Sequence, residues 1–176
     1  AGVNRPKTAE EYLPGNTGSL EILLAALQNA DNRCPVMLAS SAQASLVWRY
    51  AGSEYGKAKL ACEKLLRTYA AETGAEALIY RFPNVFGKWC RPNYNSAVAT
   101  FCHNIANDLP ITINDPATEL ELVYIDDLVA ELLAALSGRA HRCDYDGLTP
   151  VPGGDFCRVP VTHRVTLGKI VELLQS

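Results

Sequence analysis

Apolar positions along the chain switch between two periods. Stretches with a helical repeat alternate with short continuous apolar runs, which is the signature of an α/β fold. Leu20, Leu23, Leu24 and Leu27 mark one face of a helix that Thr17 can cap and that runs to about Gln28. The run from Pro35 to Ala39, ending in Ser40 and Ser41, has the continuous apolarity of a buried parallel strand. From Glu54 to Thr73, Ala58, Cys62, Leu65, Leu66 and Tyr69 fall on one face of a second helix, and Gly74 stops it. Ala77 to Arg81 predicts the next strand, and Phe82 to Asn95 a Pro-, Gly- and Asn-rich loop too long to be a bare connection. A helix from Ser96 to about Asn107 follows, then strands at Ile111 to Ile113 and Leu120 to Ile125. A helix capped by Asp126 or Asp127 runs to Leu136. Gly138 to Pro160 reads as irregular loop, and Thr166 opens a last helix. With no repeat and no linker, one structural unit is the simplest account.

Composition narrows the class. A chain of 176 residues with 48% hydrophobic content can bury one sizeable core, and a net charge of −3 argues against a nucleic-acid partner. No apolar run approaches the roughly 18 residues of a membrane span, and no charged-then-apolar leader opens the chain, which points to the cytoplasm. Cys34, Cys62, Cys90, Cys102, Cys143 and Cys157 are scattered without a C-x-x-C pair or a histidine at ligand spacing. Reduced structural thiols and no metal site are therefore expected.

The chemistry concentrates on Tyr55 and Lys59, four residues apart and so on one face of their helix. A cation held beside a phenol favours the phenolate, and the pair is expected to lower the Tyr55 pKa from its ordinary value near about 10. That is equipment for interconverting a carbonyl and an alcohol. By itself the spacing also fits a core-edge tyrosine beside a solvated lysine, so the surroundings decide. Ser41 ends the strand on the side where open α/β sheets place ligands, within the same region as Tyr55.

The resulting Ser-Tyr-Lys set resembles the short-chain dehydrogenase/reductase superfamily in its extended, nucleotide-sugar branch. Gly15-Asn16-Thr17-Gly18 resembles that branch's Asn-x-x-Gly helix start, Arg81 to Gly87 its substrate-loop signature, and Val123 to Val129 its late strand-to-helix motif. The segment from Phe86 to Ser96 with Val98 to Cys102 is similar to reductases of bacterial capsule and O-antigen synthesis that act on a UDP-linked 4-keto-6-deoxy amino sugar. The resemblance implies a Rossmann-like parallel sheet flanked by helices. It implies NADP or NAD as cofactor, with NADPH favoured, and a homodimer paired through the first two long helices.

Residue by residue, the resemblance makes Tyr55 the proton donor and Ser41 the group that orients the substrate oxygen. It makes Lys59 the partner of the nicotinamide ribose, with Asn16 as its support, and places Pro83 against the cofactor. Asn84, Lys88, Arg91, Asn93, Tyr94 and Asn95 become contacts to the UDP-sugar. Lys88 and Arg91 also read as solvated loop charges, Asn16 as an ordinary helix-start residue, and Asp126 and Asp127 as helix-dipole partners rather than acids or bases. The resemblance starts at Ala1-Gly2-Val3, the end of the family's fourth strand. The Gly-rich βαβ half is expected to be absent, and no cupin segment is seen. A nucleotide-sugar 4-epimerase, or a fragment unable to hold cofactor, are the other readings of the same residues.

Overall fold

A computed structural model describes residues 2–176. Ala1, where the resemblance begins, lies outside them. The described residues divide into two compact units. The first runs through Phe82 and takes in Ala140–Arg158; the second holds Pro83–Arg139 and Val159–Ser176. One unit was the simplest expectation, because neither crossing between the two carries a linker-like composition.

In the first unit, α1 (Tyr12–Asn29) and α2 (Glu54–Thr73) pack together, and strands β1 (Val36–Ser41) and β2 (Ala77–Phe82) pair in parallel. Leu20 and Leu24 of α1 meet Cys62, Leu66 and Tyr69 of α2 over Val36 and Ile79 of the sheet. The ends of α2 match the sequence reading, which took Gly74 as its stop. The Ser53 side chain accepts from the Gly56 N–H, and Gly74 takes the left-handed cap with φ 74°. The start of α1 departs from it. The helix begins at Tyr12 rather than beside Thr17, whose hydroxyl instead donates to the Leu13 carbonyl at 3.1 Å inside the helix. Pro14 sits in the first turn, where its missing N–H costs nothing. Leu23, expected on the buried stripe, faces outward.

The region read as irregular loop contains β5 (Arg142–Asp146), β6 (Thr149–Pro152) and β7 (Phe156–Cys157). They extend the first sheet in the order β1-β2-β7-β5-β6, with β7 parallel to β2 and the rest antiparallel. Gly147 turns the chain between β5 and β6, and Gly153 and Gly154 between β6 and β7, while Pro150 and Pro152 lie within β6.

The second unit is a three-stranded sheet of β3 (Asn84–Phe86), β4 (Glu119–Tyr124) and β8 (His163–Thr166), with helices α3 (Ala97–Ala106), α4 (Ile125–Leu136) and α5 (Leu167–Gln175). Phe101, Leu122 and Ile170 are its core. Here β3 lies inside the expected loop, and β8 was not expected. Ile111 and Ile113 pack against the core without forming a strand. Ser96 and Thr166 cap α3 and α5 through their side chains, whereas α4 is preceded by Tyr124 without a side-chain cap. Asp126 and Asp127 stand in its first turn rather than at its cap.

Candidate active site

In the first unit, Asn16 lies on α1, Ser41 ends β1, and Tyr55 and Lys59 lie on α2. A polar relay joins the strand end to the helix start. The Gln43 N–H donates to Ser41 Oγ at 3.2 Å, and Ser53 Oγ donates to Gln43 Oε1 at 2.7 Å while accepting from the Gly56 N–H at 2.9 Å. Ser41 is an acceptor in its bond, so its hydroxyl hydrogen stays free to donate elsewhere. The turn over Ala42–Ser45 lies so close to α2 that a Cβ on Gly56 would collide with the Gln43 carbonyl. Only glycine fits there.

Tyr55 lies between two neighbours. The Tyr12 ring of α1 stands 6.0 Å away at a 59° tilt, and Lys59 Nζ is 5.6 Å from the Tyr55 ring centroid. Lys59 is buried and donates to the Ala39 carbonyl at 3.0 Å. The expected lowering of the phenol pKa does not occur. Burial pushes the Tyr55 phenol up, with the Cys62 thiol and the Tyr12 phenol adding to the push, and burial also lowers the Lys59 ammonium. Desolvation is the largest cause of both shifts. Tyr55 therefore holds its proton through neutral pH, which suits an acid.

Asn16 is fixed through its amide, Nδ2 donating to the Val3 carbonyl at 3.0 Å and the Tyr12 carbonyl at 2.8 Å. Its Oδ1 is buried and unpaired among the described residues. A Cβ on Gly2 would sit 2.7 Å from this oxygen and 3.6 Å from Lys59 Nζ, so an orphan acceptor and an ammonium with spare donors flank one point. A buried acceptor left unsatisfied costs about 1–3 kcal/mol, which marks the spot as built for a polar group.

The second unit holds the other expected residues. Pro83 joins β2 to β3, and Asn84 Nδ2 donates to the Glu121 carbonyl at 3.2 Å. Lys88 Nζ pairs with Asp126 Oδ2 at 2.8 Å, which raises the Lys88 pKa. The Arg91 guanidinium lies 5.6 Å from the Tyr94 ring centroid. Asn93, in the left-handed region at φ 55°, donates its N–H to Thr100 Oγ1 at 2.9 Å, and Asn95 lies at the bend before α3. Gly87 anchors the loop. Its φ is 131°, and a Cβ there would lie 2.7 Å from both the Tyr124 and Ile125 side chains. The histidines His103, His141 and His163 join neither set.

One group escaped the sequence reading. Ser40, Glu63 and Arg81 form a buried network beside the first set: Ser40 Oγ donates to Glu63 Oε1 at 2.6 Å, and Arg81 donates to the two carboxylate oxygens at 2.9 and 2.6 Å. The signal was present as a glutamate on the buried stripe of α2 and an arginine inside an apolar strand. All six cysteines are free thiols, no group of metal-binding side chains occurs among the described residues, and no helix among them is long and apolar enough to cross a membrane.

Residues 22–145 match the model of the NAD dependent epimerase/dehydratase family. Over 139 residues the chain is 45% identical to a UDP-2-acetamido-2,6-beta-L-arabino-hexul-4-ose reductase of Pseudomonas aeruginosa, covering 79% of this chain and 36% of that protein. The crystal structure of the capsular polysaccharide assembling protein CapF from Staphylococcus aureus superposes with a TM-score of 0.75 at 42% identity, over 88% of this chain and 39% of that one. UDP-glucose 4-epimerase of Thermus thermophilus, solved in complex with NAD, gives a TM-score of 0.75 at 20% identity over 99% of this chain and 58% of its own, a likeness of fold alone. The chain thus spans well under half the length of the reductase and of CapF. With its α/β sheet, its Ser41-Tyr55-Lys59 set and a family match over most of its length, the chain belongs to the NAD dependent epimerase/dehydratase family.

Proposed function

We propose that this chain carries the proton-transfer half of an NAD(P)-dependent reduction, at the C4 keto group of a UDP-linked 6-deoxy-amino-hexulose in capsule or O-antigen sugar synthesis. The observation that supports the reading is that Lys59, 5.6 Å from the Tyr55 ring, is tied to the Ala39 carbonyl of β1, the strand that Ser41 ends, while burial raises the phenol pKa. Tyr55 gives its proton to the carbonyl oxygen as that oxygen gains negative charge, a step worth about 10²–10⁴-fold. Ser41 donates its free hydroxyl hydrogen to the same oxygen. Lys59 stabilises the phenolate left behind until a proton returns from solvent.

The donor set fits a nicotinamide nucleotide. Lys59 has ammonium hydrogens beyond the one given to Ala39, and the orphan Asn16 oxygen beside it suits a hydroxyl or a bridging water. Tyr55 and Lys59 would hold the cofactor, which when bound would supply the hydride for the carbonyl carbon. Asn84, Lys88, Arg91, Asn93, Tyr94 and Asn95 bind the UDP-sugar; the arginine fork suits a diphosphate better than the lysine does. NADPH is the favoured form, the setting is cytoplasmic, and the active species is a homodimer through α1 and α2. A 4-epimerase must also start from the phenolate to take a proton from an alcohol, and a raised phenol leaves less phenolate to begin that step.

The test is titration with NADPH followed by fluorescence, then addition of a UDP-linked 4-keto sugar, with Tyr55→Phe alongside. Saturable binding and turnover that drops by about 10²–10⁴-fold in Tyr55→Phe are expected. Absence of NADPH binding would sink the reading for this chain.

A further inference from the structure

The geometry points to Glu63 as a positioning residue, which with Ser40 and Arg81 sets the place of Ser41 relative to Tyr55 and Lys59. The inference rests on the reduction proposed above for its kinetic consequence, but not for its geometry. Glu63 is 2% exposed, and its side chain is bonded to Ser40 and Arg81. Burying a carboxylate and a guanidinium is often no gain over apolar side chains of the same volume. Stability alone is therefore a poor reason for the pair, and its direction is the better one.

Two consecutive residues of β1 are tied to two consecutive turns of α2. Lys59 Nζ donates to the Ala39 carbonyl at 3.0 Å, and one turn further on Glu63 Oε1 accepts from Ser40 Oγ at 2.6 Å. Side chains four apart on a helix lie one above the other, so the two bonds fix both the offset and the rotation of the strand end against the helix. Ser41 is the next residue along β1, and Tyr55 is one turn before Lys59 on α2.

The carboxylate is itself clamped. Arg81 stands opposite Ser40 in the parallel register of β1 and β2 and holds Glu63 through Nε and Nη2. The guanidinium lies over the Phe156 ring at 4.3 Å and 5.6 Å from the Tyr145 ring, on β7 and β5. A bidentate bond has one geometry, whereas apolar packing tolerates sliding. The network therefore transmits the sheet's register to the helix that carries the proton donor.

The test compares Ser40→Ala and Glu63→Gln with Ser40→Thr, which keeps the hydroxyl, and with Glu76→Gln, which breaks a pair to Arg142 on the rim of the same unit. Two readouts are taken: the Cε–Hε signal of Lys59 in lysine-labelled chain, assigned with Lys59→Arg, and kcat and KM of the reduction. Ser40→Ala and Glu63→Gln are expected to move the Lys59 signal and to lower kcat about tenfold to a hundredfold with KM nearly unchanged, the pattern of lost alignment. Ser40→Thr restores both, and Glu76→Gln moves neither. A Lys59 signal that stays in place in Ser40→Ala overturns the inference, as does a kcat no lower than that of Glu76→Gln. If wild-type chain shows no turnover, the reduction reading fails, while the Lys59 signal still decides the positioning. Should Glu63→Gln fail to fold, Ser40→Ala decides, because it leaves the Glu63–Arg81 pair intact.

Discussion

Glu63 and Arg81 in the first unit meet at 2.6 Å with side chains 2% and 11% exposed, whereas Lys88 and Asp126 in the second meet at 2.8 Å with side chains 54% and 50% exposed. The chemistry and the distances are nearly the same. The surroundings are not, and they reverse what each pair does. The buried pair has no water to fall back on, so each partner depends on the other and the geometry is rigid. The exposed pair exchanges readily with water and salt, and either partner is free to take a ligand. The same contrast runs through the lysines. Burial lowers Lys59, whose ammonium is held against a strand carbonyl, while pairing with Asp126 raises Lys88 in open solvent. One unit has fixed the positions of its polar groups before any ligand arrives; the loop of the other has kept its charges available.

The sharpest way to break this comparison is to remove one partner of the buried pair. Arg81→Met leaves the Glu63 carboxylate buried without its guanidinium, and the expected loss of stability is about 3–5 kcal/mol. Urea unfolding of the variant beside the parent measures it. Adding Glu63→Leu to the same chain removes the stranded charge and should return most of the loss. If the single substitution costs no more than a surface change, the pair is not the rigid element described here. The double variant also separates packing from alignment: its stability returns while kcat stays low.

Much of this was legible in the sequence, and the limits have physical causes. The C-terminal end of α2 could be read because Gly74 acts on residues within one turn. The start of α1 was hidden by Pro14, Gly15 and Gly18, which punctuate most chains but are tolerated where tertiary contacts hold the helix. The strands β5, β6 and β7 were missed because Gly147, Gly153 and Gly154 mark both irregular loops and tight hairpins, and only pairing with β2 tells them apart. At the site, Tyr55 and Lys59 follow from helical spacing, and Ser41 from its place at a strand end. The direction of the Tyr55 pKa was not legible. It depends on how much water the fold removes, and spacing carries no information about that.

The proton affinity of Tyr55 gives the next test. The reduction needs the phenol protonated, and a group whose pKa is raised keeps its proton to higher pH. With burial as the main cause, the rate is expected to stay level through neutral pH and to fall only on the alkaline side of the ordinary phenol range. A kcat/KM profile taken from neutral to strongly alkaline pH checks this. A fall near neutrality that persists in Lys59→Arg would mean that the phenol is lowered after all, whereas one that Lys59→Arg removes belongs to the lowered lysine.

The smallest expected effect belongs to the exposed pair and sharpens the comparison from the other side. Lys88→Met removes a charge that Asp126 holds at 2.8 Å in open solvent, so the melting temperature should stay where it was. If Lys88 binds the substrate diphosphate, KM for the UDP-sugar rises roughly three- to tenfold with kcat unchanged, the mark of a contact made equally in ground and transition states. Asp126→Asn separates the two roles of the lysine. It frees Lys88 from its partner without removing the charge, so KM should fall or hold, and salt should raise it more steeply than in the parent chain. Were Lys88→Met to lower the melting temperature as Arg81→Met does, the loop would be no less rigid than the core of the first unit, and the contrast between the two pairs would be lost.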